Sequence, residues 1–232
     1  MAGIDERALA RKVSRTTPWW RAFRNLPLYW LHQRLRYMDT SERWFHLALN
    51  MLLWVGVFIT LLVAGYGKPK WLIAIYSLLI SRSINYIFND NLWVGLMHSF
   101  TFVKNPGLAR MASYLAASQD RLSRCPSIHA YALYGGIVRN KFHAKSDLDV
   151  RYVRSPGFYN AIAANMCAAR ERVIAVVNRI PLDLNVGDSV AFLDKMRDDE
   201  PPVILKDSEG KLAAKYKNIS HIDAVLSQLL RR

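Results

Sequence analysis

Residues 46 to 67 run for 22 positions without a charged side chain, and no other feature limits the fold so strongly. At about 1.5 Å of rise per helical residue the segment spans roughly 33 Å, enough to cross the hydrocarbon core of a bilayer. A second run, residues 71 to 103, opens with Trp71-Leu-Ile-Ala-Ile-Tyr-Ser-Leu-Leu-Ile-Ser81 and then admits Arg82, Asn85, Asn89, Asp90, Asn91 and His98. Between the runs, Gly65-Tyr-Gly-Lys-Pro-Lys70 supplies a tight turn. The pattern predicts a helical hairpin. Long apolar helices also occur inside large soluble proteins, but a chain of 232 residues that spends its second half on a compact domain has little left to cover two of them. The expected organisation is a basic and aromatic juxtamembrane segment at 1–45, a transmembrane hairpin at 46–104 and a second domain at 105–232. The first run lies too far along the chain, and lacks a convincing cleavage site, to be an ordinary signal peptide.

Charge orients the hairpin. Arg7, Arg11, Lys12, Arg15, Arg21, Arg24, Arg34, Arg36 and Arg43 precede it and Lys104, Arg110, Arg121 and Arg124 follow, whereas the connecting loop holds just Lys68 and Lys70. The positive-inside rule then places both termini and the second domain in the cytoplasm of a two-helix protein of the cell membrane. Trp19, Trp20, Phe23 and Trp30, interleaved with arginines, suit an anionic bilayer surface. The net charge of +14 would also suit nucleic acid. That partner ranks lower, because a membrane surface accounts for where most charges sit. In the second run, Ser81, Asn85 and Asn89 share a helix face beside Arg82. The preferred reading is a snorkelling Arg82 and a shallow interfacial segment over 85–98; a site for lipid phosphate or a lipid-linked sugar competes with it. Cys125 and Cys167 lack metal-ligand spacing and are expected to be reduced.

The second half alternates between helical and strand-like patterns. Helices are expected over 106–122, with Leu108, Met111, Ala112 and Leu115 apolar, and over 158–177, with Ile162, Met166, Val173 and Val177 at helical spacing. Residues 128–134 and 202–206 read as strands, the latter stopped by the turn Asp207-Ser-Glu-Gly210, and 219–230 closes as an amphipathic helix.

Within this frame sits an unusual set of acids. Strand 128–134 ends in Gly135-Gly136; ten residues later comes Asp147-Leu-Asp149-Val150, and Leu182-Asp183-Leu184 lies further on. In a strand, residues i and i+2 point to one face, so Asp147 and Asp149 would present both carboxylates together. A neighbouring strand could bring Asp183 opposite them. Three hard oxygen donors suit magnesium, with one ion activating an attacking oxygen and a second bracing a polyphosphate. As a base for the acceptor's proton, Asp183 would be weak at an ordinary carboxylate pKa near 4. The glycine pair lets backbone amides approach a phosphate. Arg139, Lys141, His143 and Lys145 form a basic cluster between glycines and acids, which reads equally as a phosphate-neutralising group or a solvated loop. Ser146 either bonds a phosphate oxygen or caps a turn.

These residues resemble the polymerase-β-like nucleotidyltransferases, especially the minimal members, over roughly residues 107 to 206. Leu133-Tyr134-Gly135-Gly136, Ser146-Asp147-Leu148-Asp149-Val150 and Leu182-Asp183-Leu184 follow that family's order. The resemblance implies an α+β domain, a mixed sheet flanked by helices. It implies that Gly135, Gly136 and the following turn bind the triphosphate; Arg139, Lys141 and Ser146 are nucleotide-binding candidates from the residue reading above, not from the resemblance. Asp147, Asp149 and Asp183 would ligate two Mg2+ ions, or Mn2+ in their place. The implied reaction moves a nucleoside monophosphate from a nucleoside triphosphate to an acceptor, and the membrane address suggests a lipid, lipid-linked sugar or envelope precursor. Little sequence remains for base recognition, so the nucleotide is not named. The rival of another class is a non-catalytic membrane module that senses nucleotides or recruits a partner.

Overall fold

The computed structural model describes residues 37–65, 67–139, 141–195 and 202–216, together with Pro27, Trp30, Leu31 and Leu35. The aromatic and basic cluster before residue 27, and the helix expected at 219–230, lie outside the described residues.

Two long helices come first: α1 (Thr40–Val63) and α2 (Lys70–Asn89). Asp39 caps α1 by accepting the Thr40 amide, and Pro69 immediately precedes α2, where its fixed φ suits a helix start. Both are long and apolar enough to span a membrane, and only 6% of the apolar window of α1 and 28% of that of α2 are buried. That exposure separates them from the core helices of a soluble protein, which bury their apolar surface. Met51, Leu52, Val55, Ile59, Leu78 and Leu79 all face outward. The second apolar run is not one helix: it breaks at Asp90–Asn91, where Asn91 adopts φ 56° and its side chain caps α3 (Leu92–Ser99).

The rest is a mixed α+β unit. Helix α4 (Leu108–Ser123) leads into β1 (Ile128–Tyr134) and β2 (Leu148–Arg154); α5 (Phe158–Val177) crosses over to β3 (Leu182–Gly187). A short 3-10 helix (Val190–Lys195), β4 (Val203–Asp207) and α6 (Lys211–Lys215) follow. The four strands lie in the order β3-β2-β1-β4, with β2 and β3 parallel and β1 antiparallel to both its neighbours.

Strand alternation divides the sheet into two faces. Tyr131 and Leu133 of β1, Leu148, Val150 and Tyr152 of β2, and Leu182, Leu184 and Val186 of β3 meet Met111, Leu115 and Leu122 of α4. Helix α5 approaches this face through Ala164, Ala168 and Ala175. Its larger apolar residues, Ile162, Met166, Val173 and Val177, instead point outward. The helix is therefore as expected and the stripe is not the core-facing one: small alanines permit close packing on a flat sheet, and the bulky side chains are left outside. Helices α4 and α5 share this face, which brings Cys125 and Cys167 into a disulfide, with Cα atoms 6.8 Å apart. This replaces the expected pair of reduced thiols. The cysteines are 42 residues apart in sequence, and only the packing of the two helices makes them neighbours.

The hairpin is fused to this unit by polar contacts at the first turns of α1. Glu42 and Arg172 form an ion pair with side chains 0% and 1% exposed. The other Glu42 oxygen accepts the Val186 amide at 3.0 Å, and Arg172 also donates to Leu184 O at 2.9 Å and to His46 Nε2 at 3.1 Å. Nearby, Asp188 accepts from the Ser41 amide and hydroxyl and from Arg154 Nε at 2.8 Å. Just beyond the end of α2, Asn91 donates to Ile180 O at 2.7 Å and Trp93 to Val176 O at 2.8 Å.

Candidate metal centre and glycine turn

The second face of the sheet carries a small apolar cluster, Ala130, Ala132, Tyr134, Val153, Phe192, Leu193 and Leu212. By strand alternation it also carries Asp149 and Arg151 of β2 and Asp183 and Asn185 of β3. Parallel pairing sets Asp149 opposite Asp183, and Asp147 immediately precedes β2. One carboxylate oxygen from each of the three lies within 4.8 Å of the others, and all three side chains are half-buried. Strand register therefore brings Asp149 and Asp183 together, and the residue leading into β2 adds Asp147.

Gly135 is positioned with it. Tyr134 pairs with Asp149 across β1 and β2, so the turn begins directly above that carboxylate. A Cβ on Gly135 would lie 1.9 Å from Asp149 Oδ2, and its φ of +84° is one that side chains rarely adopt. Both constraints demand glycine. At Gly136 a Cβ would sit 3.3 Å from Ser146 Oγ, a tight but lesser approach. The following segment is a hydrogen-bonded turn, Arg139 N to Gly135 O and Lys141 N to Gly136 O.

The basic cluster divides. Lys145 turns away from the acids, donating to the carbonyls of Met97, Phe100 and Val103, so it fastens the end of α3 to the domain. Lys141 and His143 are exposed and Arg139 is half-buried. Ser146 is buried, and its hydroxyl accepts the His143 amide at 3.0 Å.

One residue central to the site was overlooked in the sequence. Arg151 donates to Asp183 O at 2.8 Å and to its carboxylate at 3.3 Å, and its guanidinium lies 3.8 Å from Asp149 Oδ1. The signal was present: Asp147, Asp149 and Arg151 alternate along one strand face. Asn185, two residues beyond Asp183, also donates to that carboxylate at 3.3 Å.

Three carboxylates crowd one face of the sheet, and the Arg151 guanidinium lies against two of them. Burial, followed by the charges of Asp147 and Asp183, holds the Asp149 carboxyl well above the usual carboxylate range despite the opposing Arg151. A like-charged group of hard oxygen donors under such strain fits a divalent cation, which would relieve the repulsion. No protein-family model matches the chain, and neither does any curated protein or solved structure.

Proposed function

We propose that the protein is a membrane-anchored nucleotidyltransferase of the polymerase-β-like type, transferring a nucleoside monophosphate to an acceptor with release of pyrophosphate. The observation that carries this reading is the Gly135 turn set against a triad of carboxylates within 4.8 Å of one another, in the order of that family's motifs. Asp147, Asp149 and Asp183 would hold the Mg2+. When bound, the metal supplies charge neutralisation on the polyphosphate and activation of the attacking oxygen. The chain's own residues do the rest. Gly135 and Gly136 offer backbone without side-chain bulk for the triphosphate. Arg139 and Lys141 stand on the same turn as positive charge for its oxygens, and Ser146 shapes the loop that aims Asp147. Arg151 and Asn185 fix the Asp183 carboxylate. The acceptor that best suits the two apolar helices is a lipid or lipid-linked sugar.

With α1 and α2 crossing the membrane, the excess of arginines outside the hairpin loop favours a cytoplasmic side for both termini and the site. The disulfide gives this topology a sharp test, because cytosolic thiols are kept reduced. Alkylation of Cys125 and Cys167 in intact cells before lysis supports the cytoplasmic placement, and protection of both until reductant is added reverses it.

The second reading, a nucleotide-sensing or partner-recruiting module without turnover, is favoured by one feature. Arg151 already occupies part of the acids' charge through its ion pair with Asp183. Pyrophosphate release by the detergent-purified protein separates the two, assayed with Mg2+, each nucleoside triphosphate in turn and a membrane-lipid extract. Release that falls by about a thousandfold or more in Asp147→Asn supports the enzyme. Nucleotide binding without release, in the presence of the extract, supports the sensor.

A further inference from the structure

A cavity of about 360 Å3 opens where the hairpin meets the α+β unit. Its walls come from α3, the 100–106 connection, the start of α4 and the loop before β3. Trp93 and Phe102 supply apolar surface, Lys104, Arg110 and Arg179 supply charge, and Pro181 closes one side.

The placement of the cations is what needs explaining. Arg110 stands in the first turn of α4, whose N-cap is Gly107 with no side-chain cap and whose first turn has no acidic residue. A helix N-terminus carries partial positive charge and favours anions, so a cation there is unfavourable by itself. Lys104 and Arg179 add two further charges to the same cavity. None of the three makes an ion pair among the described residues, and no acid lines the wall. Arg179 adopts φ 59°, and its guanidinium lies 5.7 Å from the Trp93 ring, which holds the charge against the apolar side of the cavity. Three exposed like charges line one cavity beside the uncapped start of α4, and an anion there would offset all of them at once.

The apolar wall identifies the kind of anion. Trp93 belongs to α3, two residues beyond the break that ends α2, and Phe102 is 77% exposed beside the charges. Acyl chains running along α2 would bring a headgroup to this level. We infer that the cavity binds the phosphate headgroup of an anionic membrane lipid. The inference rests on the membrane anchoring proposed above and not on nucleotidyl transfer. It also places the headgroup at the acids' end of the sheet, because Pro181 O accepts the amide of Leu148, the residue between Asp147 and Asp149.

The test is calorimetric titration of the full-length protein in detergent with dihexanoyl phosphatidic acid, dihexanoyl phosphatidylcholine and glycerol 3-phosphate. Phosphatidic acid is expected to bind at least tenfold more tightly than either comparator. Arg110→Gln should weaken it about tenfold, the loss of one charge-assisted contact, and Lys104→Gln with Arg179→Gln should weaken it further. Arg124→Gln, at the opposite end of α4, should leave affinity unchanged. Asp147→Asn should bind phosphatidic acid normally even though turnover is lost, so failure of the catalytic reading leaves this result standing. Equal affinity for the two lipids, or phosphatidic acid binding unaffected by the charge-removing variants, overturns the site. Glycerol 3-phosphate binding as tightly as phosphatidic acid overturns its assignment to a lipid.

Discussion

The acid triad at the start of β2 and β3 and the ionic joint between α1 and α5 are made from the same chemistry and balanced in opposite ways. At the joint every charge has a partner. Glu42 is divided between Arg172 and the Val186 amide, and Arg172 reaches two further acceptors. At the triad three carboxylates crowd together, Arg151 lies against two of them, and burial with the neighbouring acids' charge raises the Asp149 carboxyl. Burying paired charges brings little net stability but fixes geometry, because losing one partner strands the other. Leaving like charges together has a standing cost, which a chain keeps where a ligand will relieve it. The joint holds the hairpin to the sheet. The triad is a candidate cation site.

The most severe way to break this comparison is to unpair the joint. Arg172→Leu leaves Glu42 buried without its counter-charge and should lower stability by about 3–5 kcal/mol, read from thermal unfolding in detergent. Replacing Glu42 and Arg172 together by leucine should restore part of the loss. If the single and double variants are equally unstable, packing and not charge pairing holds the joint.

Gly135→Ala should act at the triad with a smaller cost, about 2 kcal/mol for the left-handed backbone and the displaced carboxylate. Its clearer mark is functional: the Mg2+-induced rise in melting temperature should disappear, because Asp149 cannot keep its position beneath a new Cβ. An unchanged Mg2+ response in a folded Gly135→Ala protein would dissociate the turn from the metal centre.

Asp149→Asn should have the opposite sign. Removing one of three crowded carboxylates relieves repulsion, so without divalent cation the variant should be more stable than the parent by about 1 kcal/mol. With Mg2+ the order should reverse, since the parent gains stability from binding and the variant does not. Loss of stability in the absence of cation would mean that Asp149 is structural, like Glu42.

What could be read from the sequence divides along the same line. The triad was legible because it depends on local periodicities: period two puts Asp147 and Asp149 on one face, and the paired glycines mark a turn. Its partner Asp183 was legible as one acid among leucines in a short strand. Arg151 has the same signal but was missed, because a cation beside acids reads as solvent-facing until the next strand covers it. The joint was not legible at all. Glu42 and Arg172 are 130 residues apart, and in sequence Glu42 looks like an ordinary first-turn acid of a helix. The same holds for Cys125 and Cys167, and for α5, where periodicity identified the helix but hydrophobicity pointed to the wrong face. The break at Asn91 was foreshadowed by polar residues, yet its cause is the docking of Asn91 and Trp93 on α5 and the loop before β3, which no local pattern encodes.

The smallest expected effect belongs to the rim of the joint. Burial raises the Asp188 pKa, but hydrogen bonds from Ser41 and Arg154 outweigh it and the carboxyl lies below its usual value. A carboxylate whose pKa is depressed on folding contributes stability above its unfolded pKa, near 3.9, and loses it as pH falls through the lower folded value. Asp188→Asn should therefore melt slightly below the parent at pH 7, and the gap should narrow from about pH 4 downward. Because Asp188 is partly exposed, the difference should also shrink in high salt. A gap that persists unchanged to pH 3 would show that Asp188 acts by shape and not by charge, and would confine the paired chemistry of the joint to Glu42 and Arg172.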